Sequence, residues 1–188
     1  MKKSLFLSVV ILTAAANFAL GENKPWPKEP NIFRGVPFGA SEAEALNKIP
    51  SMGNCRNNET LGRMCLDSGF KVGDVTFVKN TFVFYNDKLV SVYFNFKSKD
   101  YDFIKDTFIK RYGEPKNTVN DKIKTEGGMK YENEILTWKG DNIELHVEKY
   151  SRNINNGIVI YSNIRWLERL DKNNNRKKQE TTKDLQKQ

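Results

Sequence analysis

The chain predicts an α+β fold: an antiparallel sheet of two meanders with helices packed on one face. Three observations lead there. Two segments, near residues 75–96 and 135–162, are rich in β-branched and aromatic residues that alternate with polar ones. Before each lies a stretch with apolar residues three and four apart, the spacing of an amphipathic helix. The order helix, meander, helix, meander then reads as a doubled helix-plus-strands unit, which an α+β domain builds by placing its helices against an antiparallel sheet. The 188 residues suffice for one domain with a real core, and 38% hydrophobic residues exclude a chain disordered throughout.

Residues 1–21 read as a secretory signal peptide. Lys2 and Lys3 form a charged start, Leu5 to Ala16 an apolar run, and Ala19-Leu20-Gly21 a small-residue cleavage site. Cleavage is expected near Gly21, before Glu22, with Ala16 and Ala19 as alternatives. The apolar run of about 12 residues is short of the roughly 20 that span a bilayer. The start and the Lys/Asn-rich composition look bacterial, so the mature chain is expected in the periplasm or secreted, with no transmembrane segment.

Residues 22–32 carry Pro25, Pro27 and Pro30 around Trp26 and form an extended leader, because proline cannot continue a helix. A single α+β domain is expected over residues 33–170. Ser41 and Glu44 make a capping box for a helix with Ala43, Leu46 and Ile49 on its apolar side, ended by Pro50. Residues 51–74 read as loop. The first meander runs Val75 to Val78, Thr81 to Tyr85 and Leu89 to Phe96, with Asn86-Asp87 as a turn. Its buried face is expected to carry Val90, Val92, Phe94 and Phe96. Asp100 is placed to cap a second helix with Tyr101, Ile104, Phe108 and Tyr112 in one stripe, stopped by Gly113 and Pro115. Residues 116–134 read as a long loop or irregular hairpin. Strands follow over Ile135 to Trp138, Ile143 to Tyr150 and Ile158 to Ser162, then a short amphipathic helix from Ile164 to Leu170. The polar tail, residues 171–188, is expected to be disordered or loosely helical.

The opening Phe33-Arg34-Gly35-Val36-Pro37-Phe38-Gly39, the hairpin from Phe82 to Leu89 and the helix stop Arg111-Tyr112-Gly113-Glu114-Pro115 resemble a group of small exported bacterial proteins of unknown function. These motifs are structural and transfer no catalytic signature. The doubled plan is similar in topology to β-lactamase-inhibitor-like and BamE-like periplasmic modules, a likeness that says little about function.

Cys55 and Cys65 are the only cysteines. In an oxidising compartment they are expected to form a disulfide, which would stabilise the fold by roughly 3 kcal/mol. A redox role usually uses Cys-x-x-Cys spacing, absent here. His146, the only histidine, lies between Glu144 and Glu148 on the polar side of a strand. With no nucleophile motif nearby it reads as a surface histidine, and three groups along one strand diverge too far to share a metal ion. No phosphate loop, Gly-x-Ser-x-Gly or His-Glu-x-x-His is present. No catalytic, cofactor or metal site is therefore assigned, and the chain is not expected to be an enzyme.

Tyr85 and Tyr93 fall out of phase with the buried aromatics and, with Lys88, form the candidate interaction surface. A protein partner would use such a patch as well as a nucleic acid, and export argues against the latter. The +8 charge divides on this reading. Without Lys2 and Lys3 the chain holds 29 basic against 23 acidic residues, or +6, and half of that lies in the tail, with six basic and three acidic residues. The folded domain has no polyanion-binding excess. The expected role is an exported binding or accessory protein of the bacterial envelope, acting by protein–protein recognition. Its alternatives are a small periplasmic hydrolase with an unrecognised site, and an anionic lipid or polysaccharide binder acting through the tail.

Overall fold

A computed structural model describes residues 26–77, 79–124, 128–151 and 153–185. The expected signal peptide lies outside the described residues. Among those described, no helix is long and apolar enough to cross a membrane.

The leader is tied down at two points. The Trp26 indole donates to the Tyr112 carbonyl at 2.9 Å, and the Glu29 carboxylate accepts three backbone N–H groups, from Asp141, Asn142 and Ile143. Strands β1 (Ile32–Phe33) and β2 (Val36–Pro37) then form a tight hairpin. Its turn places Arg34 at φ 48° and Gly35 at φ 81°.

Helix α1 (Glu42–Lys48) begins with the expected capping box: the Ser41 hydroxyl accepts from Glu44 N, and the Glu44 carboxylate accepts from Ser41 N. Its buried side carries Ala45 with Leu46 and Ile49, while Ala43 is exposed, so the apolar stripe is rotated from the one expected.

Residues 51–74 are not loop. They hold β3 (Met52–Asn58), β4 (Gly62–Asp67) and β5 (Phe70–Val72). The sequence of β3 is polar because the strand lies at a sheet edge, where no alternation is required. β6 (Val75–Phe77) also departs from expectation, since it pairs with β5 in a separate hairpin rather than with the meander.

The main sheet has eight antiparallel strands. They include β7 (Asn80–Tyr85), β8 (Lys88–Lys97), β9 (Asn117–Lys124), β10 (Lys130–Lys139), β11 (Ile143–Glu148) and β12 (Asn156–Asn163), in the order β3-β4-β7-β8-β12-β11-β10-β9. Two four-stranded meanders thus meet along β8 and β12. Helix α2 (Tyr101–Tyr112) precedes the second meander as α1 precedes the first. The stretch expected as loop or irregular hairpin, 116–134, supplies β9 and much of β10.

Local chemistry explains most of these elements. Asn86 and Asp87 turn β7 into β8 with both φ values positive, as a two-residue hairpin of this hand requires. Asp100 stands at the start of α2 but makes no side-chain cap bond, because a 3-10 turn over Ser98–Asp100 already leads into the helix. Gly113 ends α2, donating its N–H to Ile109 at φ 84°. At Gly157, opposite Phe96, a Cβ would lie 2.2 Å from the Phe96 ring, so the position admits no side chain without a shift.

The main core lies between one face of the sheet and helices α1 and α2. It contains Phe82, Phe94, Phe96, Ile104, Phe108, Trp138, Leu145 and Val159, with the β1–β2 and β5–β6 hairpins closing one end. Val90 is not on this face. The register shifts between Val83 and Phe84, so Leu89 joins Val92, Phe94 and Phe96 in the core, and Val90 packs on the opposite side.

That opposite side has a helix of its own. Asn163 accepts from Trp166 N and starts α3 (Ile164–Leu185), which runs through the expected tail. Trp166, Leu167 and Leu170 pack on Met64, Val83 and Val90 in a second, smaller cluster. Helices therefore occupy both faces, not one. Strands β4, β7 and β8 are accordingly buried on both faces, with Met64, Val83 and Val90 under α3 and Cys65, Phe82, Phe84 and Leu89 in the main core.

Candidate functional site

The residues singled out from the sequence are placed as follows. Cys55 and Cys65 form a disulfide joining edge strand β3 to β4, with Cα atoms 4.0 Å apart. Tyr85 and Tyr93 are half-buried against the α3 cluster, and the Arg169 guanidinium sits 3.5 Å from the Tyr85 ring centroid. Lys88 is exposed at the β7–β8 turn. The three are thus not one open patch, since α3 stands over the tyrosines.

Helix α3 serves the first meander. On the second meander the same face of the sheet carries two rows that cross five strands. One runs Tyr93, Ile160, His146, Thr137, Asn117, and the next Asn95, Ile158, Glu148, Ile135, Val119. Side chains alternate along each strand, so these rows follow from the register that buries Leu136, Trp138, Leu145, Val147 and Val159 on the other side. Ile135, Ile158 and Ile160 are half-buried and belong to neither core cluster, and Val119 is 43% exposed.

The polar groups of this face are ordered by one another. Asn133, buried, donates to Glu148 and to the Tyr150 carbonyl and accepts from Tyr150 N. Glu144 lies 3.8 Å from Lys139. The nearest side-chain partner of His146 is the Thr137 hydroxyl, 3.5 Å from Nδ1. Burial lowers the His146 pKa, and the charges of Glu148 and Glu144 oppose that shift without cancelling it. The imidazole is accordingly neutral near pH 7. Glu144, His146 and Glu148 stand two residues apart along one strand. Among the described residues, the one group of three ligand-type side chains close enough for a metal is Glu42, Cys55 and Cys65. Its sulfurs are consumed by the disulfide, and its carboxylate pairs with Arg63.

The sheet edges are less suited to pairing with another strand than this face is to packing. Outer strand β9 carries Lys122 and Lys124, and β3 is broken by a register shift between Gly53 and Arg56. Charged and irregular edges resist strand addition. The face combines isoleucines outside any core with carboxylates around a neutral histidine. It can cover apolar surface with basic groups at its margin. The sequence marked the strands here except β9 and the first half of β10, and it did not mark the surface. Ile135, Ile158 and Ile160 fall in expected strands to which no buried face was assigned, and the signal that separates them from the core is their phase against Leu136, Val159 and Tyr161.

No curated protein and no solved structure matches the chain. A family model described as "Uncharacterised protein" matches residues 33–184, which is most of the length, and the chain belongs to that family.

Proposed function

We propose that this chain is an exported binding protein of the bacterial envelope that works by recognising another protein, without catalysis. The observation that carries the reading is the group of three isoleucines, Ile135, Ile158 and Ile160, on the outer face of the second meander. Apolar side chains that join no core and lie among ordered carboxylates are what a recognition surface needs: an apolar centre with a polar rim. The Cys55–Cys65 disulfide is compatible with an extracytoplasmic setting.

Affinity capture from the source periplasm tests it, using residues 22–188 and an Ile135→Glu/Ile160→Glu variant checked for native circular dichroism. A stoichiometric partner held by the native face and lost by the variant is expected. A partner held equally by both would move recognition elsewhere. Empty captures together with turnover in a broad hydrolase screen would replace binding with catalysis.

A further inference from the structure

The opposite side of the sheet contains a chamber that the outer face does not use. It lies where the two small hairpins meet α2, and its volume is about 280 Å³. Its walls include Phe33 from β1, Phe70 and Phe77 from the β5–β6 hairpin, Phe94 from β8, Phe108 from α2 and Tyr161 from β12. Among the described residues, the lining holds no carboxylate.

The mouth is apolar and basic. Ile32 and Val72, 48% and 36% exposed, line it, and Phe103, 46% exposed, stands against Gly73 at the tip of the β5–β6 hairpin. Half of the large exposed apolar side chains among the described residues gather here. Two guanidinium groups accompany them. Arg34 bonds Asp67 at 2.6 Å and lies over the Phe70 ring. Arg111 lies over the Tyr112 ring and has no ion pair among the described residues. The Tyr112 and Tyr161 hydroxyls bond each other at 3.0 Å, so neither needs a ligand to be satisfied.

We propose that this chamber binds a small amphiphile, with an apolar chain among the phenylalanines and a carboxylate at Arg111. The size follows from volume. A cavity of about 150 Å³ holds benzene, so one nearly twice as large holds a body of roughly eleven heavy atoms. The sign of the head follows from the mouth: two cations, one of them without an acidic partner, and no acid in the lining. A guanidinium favours a carboxylate over other anions of its size because the two planar groups can share two hydrogen bonds. Desolvating an apolar chain supplies the affinity, and Arg111 selects the charged head. The chamber and the isoleucine face lie on opposite sides of the sheet, so the two proposals stand or fall separately.

Decanoate, decanol and acetate are the probes, titrated calorimetrically into the full chain below the aggregation limit of decanoate. Trp26 offers a second readout, since its ring lies 5.6 Å from Tyr112. Decanoate should bind saturably at one site and change the fluorescence of Trp26, whereas acetate should do neither. Arg111→Gln should weaken decanoate about tenfold or more and leave decanol unchanged. Thr107→Phe, which fills the chamber from α2, should abolish both. Absence of saturable decanoate binding to the native chain would overturn the proposal. Binding that survives both substitutions, in variants with native circular dichroism, would place the ligand elsewhere and overturn it as well.

Discussion

Asp67 illustrates how single side chains hold this fold together. It is buried at the end of β4, and its carboxylate accepts from Ser51 ahead of β3, from Asn80 on β7 and from Arg34 in the β1–β2 turn. Arg34 sits at positive φ, where a side chain costs about 1–2 kcal/mol, and the bond to Asp67 offsets that cost. Burial alone would raise the Asp67 carboxyl, but the three hydrogen bonds and the guanidinium charge outweigh it and hold the group below its ordinary value near 3.8. A carboxylate with a depressed pKa stabilises the fold fully above its unfolded value and loses that contribution as pH falls through the folded one. Asp67→Asn should therefore cost about 2–4 kcal/mol at pH 7 and show a shallower loss of stability below about pH 4. Urea unfolding at a series of pH values checks this, and parallel curves for the two proteins would remove Asp67 from the acid response. Glu134 works in the same direction at the α2 side. Burial raises its carboxyl, but Lys105 and the Tyr101 hydroxyl bring it below its usual range.

At the scale of elements, α3 is the part whose role differs most from its sequence. Its start is the short amphipathic helix expected over Ile164 to Leu170, where Trp166, Leu167 and Leu170 cover Met64, Val83 and Val90, but the helix continues to Leu185 through residues expected as a polar tail. Trp166 is buried and its indole nitrogen has no hydrogen-bond partner among the described residues, so truncation removes packing. Trp166→Ala should cost about 3–5 kcal/mol, while Glu168→Ala, on the exposed side of the same turn, should stay within about 0.5 kcal/mol. A Trp166 cost below that of an exposed residue would mean that α3 is not bound to the sheet in solution. The capping box at Ser41 and Glu44, the Asn86-Asp87 turn, the stripe of α2, and the alternation of β11 and of β8 from Val92 to Phe96 were legible because each is a local pattern. β3 and β9 were not. Asn54, Arg56, Asn57 and Asn58 in the one, and Asn117, Asn120 and Lys122 in the other, have no apolar period, and only pairing with β4 and β10 makes them strands. The shift at Val83/Phe84 was equally silent, because strict alternation assigns Val90 to the face that Leu89 occupies. The isoleucine face and the phenylalanine chamber draw on five or more segments each, and no local pattern announces such a gathering.

The whole molecule joins two similar halves, and their seam decides whether they behave as one body. Strands β8 and β12 pair over seven positions from Asn156 to Ser162. Beneath the seam the rings of Phe33, Phe94 and Tyr161 meet at 5.5 to 6.1 Å, so the core is shared by β1, the first meander and the second. On the other side Ser91 and Ser162 bond each other in a buried pair. Separating the halves would strip a sheet edge and open the core together, which ties their stabilities into one transition. The three tryptophans report on different places: Trp26 where the leader meets α2, Trp138 in the core of the second meander, and Trp166 under α3. In variants that keep one tryptophan and replace the others with Phe, the urea midpoint by fluorescence should coincide with that by far-ultraviolet circular dichroism of the same protein. A Trp138 signal that persists after the Trp166 signal is lost would instead assign the second meander and α2 a stability of their own. The doubled plan would then describe two folding units, and the β8–β12 seam would be an interface between them.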